Sequence, residues 1–153
     1  MPLKLTDLVY LKSGRIMMTG NAKRLARIFL NEWGREGWKI LAESLPFQVE
    51  GEVFIGDPLE NPGFDAYLIV NPLSRSKTAQ EKLYSWLESN RDKLVLLYEG
   101  KYIGDSISRY RIRFFVDYLV AYRRETVDTE VVNLYKLENG EVVESSKLVR
   151  KGR

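Results

Sequence analysis

The 153-residue chain is 44% hydrophobic and 29% charged, a balance that excludes a disordered or collagen-like polymer and leaves room for one domain with a real core. It holds no cysteine and no histidine, which removes disulfides, thiolate and imidazole metal sites, and both Ser-His-Asp and Cys-His catalysis. A net charge of +3 with pI near 9.0 permits an acidic partner without demanding one, and no apolar run approaches the roughly 20 residues that span a bilayer, so a cytoplasmic location without membrane contact is expected.

Charge is distributed in blocks. Residues 1–39 are basic, residues 43–65 carry Glu43, Glu50, Glu52, Asp57, Glu60 and Asp65 with no lysine or arginine, residues 125–144 are again acidic, and "KLVRKGR" closes the chain with a basic run. Gln48 and Gln80 are the only glutamines beside many Glu, Lys and Arg, a balance reported for thermophile proteins.

In chain order, "DLVYLKSGRIMM" predicts two short strands around a Ser13-Gly14 turn. "GNAKRLARIFLNEWGREG" predicts a helix with Leu25, Ile28, Phe29 and Trp33 on one face and Lys23, Arg24, Arg27 and Asn31 on the other, capped by Asn21 and ended by Gly34 and Gly37. "WKILAESL" and "QVEGEVFIG" read as strands, and "GDPLENPG" as a loop. "FDAYLIV" reads as an interior strand. A second helix is signalled by Thr78 with Glu81, a capping box, and by Ala79, Leu83, Trp86 and Leu87 on one face. "KLVLLYEG" follows as a buried strand, so residues 64–99 predict a right-handed parallel crossover.

"RYRIRFFVDYLVAYRR", residues 109–124, alternates more cleanly as a strand, with Tyr110, Ile112, Phe114, Val116, Tyr118, Val120 and Tyr122 on one face and Arg109, Arg111, Arg113 and Asp117 on the other; the alternative is a helix with Ile107, Phe114, Tyr118 and Tyr122 on one side. "TEVVNLYKLENGEVVESSKLV" predicts a hairpin about Asn139-Gly140. The expected fold is therefore one α+β domain over residues 1–149, two helices packed on a mixed β-sheet ending in an antiparallel meander, followed by a basic C-terminal tail, residues 150–153.

Alternate arginines on a strand face stand about 7 Å apart, close to the phosphate spacing of an extended single strand. Arg109, Arg111 and Arg113, extended by Arg123 and Arg124 and by Lys147, Arg150 and Lys151 in the tail, point to a non-enzymatic protein that binds DNA or RNA through electrostatics, with no cofactor. No helix-turn-helix, zinc-finger, RNP or Walker pattern occurs. The alternative is a protein-interaction or homo-oligomeric assembly module, because the hairpin offers a sheet edge and opposite charge blocks favour docking.

A third reading comes from Asp65 with Glu99 and Lys101. Asp plus Glu-x-Lys resembles the PD-(D/E)xK nucleases, which implies carboxylates holding Mg²⁺ and a lysine that positions or activates water. A cation in the acidic loop would draw on Glu50, Glu52, Asp57, Glu60 or Asp65, whose spacing does not fit an EF-hand.

Overall fold

Continuous apolar runs in this chain become strands covered on both faces. The computed structural model describes residues 2–152. Its elements are α1 (Leu5–Val9), β1 (Gly14–Thr19), α2 (Lys23–Arg35), β2 (Ile40–Ala42), β3 (Phe54–Ile55), β4 (Ala66–Val70), α3 (Lys77–Ser89), β5 (Leu94–Glu99), β6 (Tyr118–Thr126), β7 (Thr129–Glu138) and β8 (Glu141–Lys151). Short 3-10 turns occupy Pro58–Glu60, Pro72–Ser74, Gly104–Arg109 and Arg111–Phe115.

The eight strands form one mixed sheet in the order β3-β2-β4-β5-β1-β6-β7-β8. Strands β3 through β6 in that order pair in parallel, and β6, β7 and β8 form the antiparallel meander. Alternation along each strand divides the core in two. Ile16, Met18, Leu68 and Leu96 meet α1 and α2 through Leu8, Leu25, Phe29 and Trp33. On the other face Met17, Ile69, Val95 and Leu97 meet α3 through Leu83 and Leu87, and the 3-10 turns through Ile107 and Ile112.

The mixed sheet and its terminal meander match the sequence expectation, whereas the helices number three and cover both faces. The β4-α3-β5 unit is parallel and adjacent, as residues 64–99 predict. Asn139 (φ 53°) and Gly140 (φ 81°) both adopt left-handed backbone, as a two-residue hairpin turn requires.

Four local expectations change. Residues 5–9 are helical: the Asp7 carboxylate accepts from the Lys4 amide, and Trp33 Nε1 donates to the Val9 carbonyl at 3.2 Å, docking this turn on α2. Helix α2 starts after Ala22 without a side-chain cap from Asn21, and α3 is capped two residues earlier than expected, by Ser76 in place of Thr78, with Ser76 Oγ accepting from Ala79 N. β3 retains only two residues of its expected strand.

The largest change falls on residues 109–116. β5 and β6 both run parallel to β1, so the chain leaving the end of β5 must travel back along the sheet before β6 can begin. Residues 104–115 make that return as two 3-10 turns that press Ile107 and Ile112 onto the core, and strand pairing starts only at Tyr118 opposite Ile16. Arg150 and Lys151, expected in a loose tail, lie in β8 opposite Glu130 and Thr129. Among the described residues no helix is long and apolar enough to cross a membrane.

Candidate functional site

In an open parallel sheet, ligands settle beyond the carboxyl ends of the strands where successive connections leave in opposite directions. Here that point lies between β1 and β5. β1 continues through α2 toward β2, while β5 crosses the opposite face and reaches β6 beyond β1.

The floor of this crevice is knitted by backbone groups. Gly20, with φ of 93°, ends β1 and donates its amide to the Glu99 carbonyl at 3.1 Å. Asn71, itself left-handed, donates its amide to the Tyr98 carbonyl at 2.7 Å and accepts from the Gly100 amide through Oδ1 at 3.3 Å. The buried Glu99 carboxylate accepts from the amides of Leu73 at 3.0 Å and Lys101 at 3.3 Å. Thr19, opposite Glu99 in register, has a fully buried hydroxyl without a hydrogen-bond partner among the described residues.

Above this floor opens a cavity of about 390 Å³, lined by Gly20, Asn21, Gly100, Tyr102, Tyr122, Arg123 and Arg124. Tyr102 keeps 42% of its surface exposed. Helix α2 begins four residues past Thr19, bringing its positive end and Lys23 and Arg24 to the same edge of the sheet. A second cavity of about 340 Å³, lined by Arg24, Arg124, Glu130 and Arg150 among others, shares Arg124 with the first.

Glu130 organises the boundary between the two cavities. It accepts from Tyr122, from Arg24 Nη2 at 3.0 and 2.9 Å, and from Arg124 at 3.5 Å, with Arg150 opposite it in the ladder. The Tyr122 hydroxyl, chiefly, and then the nearby arginines hold its carboxyl below the usual range, against the opposing pull of desolvation. Burial first, and the hydrogen bond to Glu130 second, raise the Tyr122 phenol above 10.0. Arg123 pairs with Glu125 at 2.9 Å. The outcome is an edge where Arg24, Arg123, Arg124 and Arg150 stand among the carboxylates Glu125, Asp128 and Glu130, beside an exposed ring and backbone glycines.

Among the residues singled out from sequence, Glu99, Lys101, Arg123 and Arg124 meet at this edge, and Arg150 and Lys151 join it through the end of β8. Lys147 sits exposed farther back on β8. Arg109, Arg111 and Arg113 do not form a strand-borne row. Arg111 pairs with Glu81 and lies over the Tyr84 and Phe115 rings, while Arg113 donates to the Ser108 carbonyl and lies over Phe114. Asp65 precedes β4, and its carboxylate accepts from the Lys39 amide at 2.8 Å. The register sets it level with Lys93, six residues before Glu99 and thus about 20 Å away along the sheet. Asp65 and the Glu99-Lys101 pair therefore do not share a site. Glu50 pairs with Arg35 and Asp57 caps a 3-10 turn, and no group of three or more carboxylates placed to hold a metal ion occurs among the described residues.

Gly20, Asn71 and Tyr102 escaped the sequence reading, and Asn21 entered it only as a helix cap. The signal was a glycine between an apolar strand and a basic helix, which is informative only once the strand order is known.

No family model matches the sequence, and no curated protein matches it. Among solved structures the chain is similar to the N-terminal domain of zonular occludens toxin from Neisseria meningitidis, with a TM-score of 0.57 and 8% identity over 92% of this chain and 96% of that domain. At that identity the likeness is one of fold.

Proposed function

We propose that this protein is a nucleic-acid-associated binding protein, non-enzymatic, that receives a single-stranded phosphodiester chain along the C-terminal edge of its parallel strands. The observation that carries this reading is the cavity at the β1/β5 switch point, where the exposed Tyr102 ring stands with Arg123 and Arg124 beside the positive end of α2. Single-strand binding needs two things, cations to follow the phosphates and a ring on which a base stacks, and both are present in one groove.

Lys101, Arg123, Arg124, Arg24 and Arg150 supply the phosphate contacts in this reading, and Tyr102 the stacking platform. Arg24 and Arg124 are held by Glu130 and Arg123 by Glu125, just as Arg111 is held by Glu81, so pairing alone does not select the surface; the exposed Tyr102 ring beside Arg123 and Arg124 in one cavity favours the sheet edge over the 3-10 turns.

Fluorescence anisotropy of labelled single-stranded and duplex DNA and RNA, titrated across a salt series, tests the proposal. Binding should favour single strands, weaken steeply with salt, and lose several-fold in affinity in Tyr102→Ala. Absence of binding at low salt would overturn it.

A further inference from the structure

The sheet ends in β8, whose outer side carries no further strand among the described residues. This edge is long, running from Glu141 to Lys151, and keeps apolar residues in the open: Val142 at 48%, Val143 at 51%, Leu148 at 40% and Val149 at 53% exposure. Long apolar edges invite pairing with another chain unless something prevents it.

The order of side chains along β8 selects the partner. "EVVESSKLVRK" starts acidic with Glu141 and Glu144, turns at Ser145-Ser146, and ends basic with Lys147, Arg150 and Lys151; each half carries two exposed apolar residues. Reversed in direction, the strand is complementary to itself. A parallel in-register copy would set glutamate on glutamate and lysine on lysine, so the same charges that favour an antiparallel partner oppose fibril-like stacking.

The backbone is also free. Gly152 N donates to the Asp128 carbonyl at 2.7 Å, continuing the register in which Lys151 faces Thr129. Antiparallel ladders alternate, so Gly152, Arg150, Leu148 and Ser146 turn their amides toward β7, and Ser145, Lys147, Val149 and Lys151 turn theirs outward.

We propose that β8 is a homodimerisation edge, where a second copy of this chain adds antiparallel about a two-fold axis near Ser146 and joins two eight-stranded sheets into one. With that axis Ser145 pairs with the other copy's Lys147, Val143 lies opposite Val149, Glu141 lies opposite Lys151, and Val142 is a diagonal neighbour of Leu148. The interface is isologous, as a closed two-fold dimer requires. It shares Arg150 with the nucleic-acid reading, and its test, made without nucleic acid, is read separately from that one.

Sedimentation velocity of the full chain tests the proposal. The wild type should form a reversible dimer by about 100 μM. The double variant Glu141→Lys, Glu144→Lys and the triple variant Lys147→Glu, Arg150→Glu, Lys151→Glu should each be monomeric alone and form a one-to-one heterodimer when mixed. Lys147→Pro, which deletes an outward amide while leaving the β7 ladder intact, should raise the dimer dissociation constant at least about tenfold. A wild type that stays monomeric, charge variants that ignore one another, or a dimer indifferent to Lys147→Pro would overturn the proposal.

Discussion

A β-carbon on Gly20 would stand 2.1 Å from the carbonyl oxygen of Tyr122. No real β-carbon tolerates such a contact, and the φ of 93° at Gly20 is one that side chains rarely adopt. The glycine lets β6 pass against the end of β1 and so brings Tyr122, Arg123 and Arg124 to the crevice. Gly20→Ala should therefore cost about 2 kcal/mol or more in chemical denaturation, through steric overlap and backbone strain together. It should also weaken ligand binding more than Gly37→Ala, whose β-carbon would meet nothing within 4 Å although its backbone is similarly strained.

The opposite edge of the sheet depends on a buried cation. Arg15 is only 3% exposed and donates from Nε at 3.2 Å and Nη2 at 3.1 Å to Asp117, whose Oδ2 also accepts the Arg15 amide at 2.9 Å. Glu88 stands 3.7 Å from Nη1, an atom that has no hydrogen bond. Asp117→Asn keeps the shape but strips the charge from the main partner, and should destabilise the protein by about 3 kcal/mol in urea denaturation. Glu88→Gln, at a more exposed position, should cost under about 1 kcal/mol.

Stability should carry the signature of Glu130 in acid and of Tyr122 in base. The Glu130 carboxyl titrates below its ordinary value of 4.5 in the fold, so the unfolded chain takes up this proton first as pH falls. Its contribution is complete above that value and is lost as pH falls through the folded one. The stability difference between the wild type and Glu130→Gln should be constant near neutrality and shrink below about pH 4.5 in denaturation curves recorded against pH. Tyr122 is raised above 10.0, so its contribution is complete below that value and declines as pH climbs toward the folded one.

Local patterns and topology were not equally legible. The β4-α3-β5 unit and the Asn139-Gly140 hairpin could be read because apolar runs, a helical face and a left-handed turn pair are local signals. Residues 109–116 defeated the reading because their alternation is real but their role is set by topology: a parallel β6 forces a return path, and Tyr110, Ile112 and Phe115 pack from 3-10 turns as well as they would from a strand. The crevice was out of reach for the same reason. Glu99 and Arg123 stand 24 positions apart in sequence and meet only because β1 lies between β5 and β6.

The sheet-edge assignment is tested most directly by two triple variants assayed side by side for binding to a labelled single strand over a salt series, after both are confirmed to be folded. One carries Lys101→Ala, Arg123→Ala and Arg124→Ala; the other carries Arg109→Ala, Arg111→Ala and Arg113→Ala. Loss of salt-sensitive binding in the first, with the slope of log K against log salt shallower by about 0.7 for each contact removed, and near wild-type binding in the second would establish the crevice as the phosphate-binding edge. Wild-type binding in the first variant, or its loss in the second alone, would refute it.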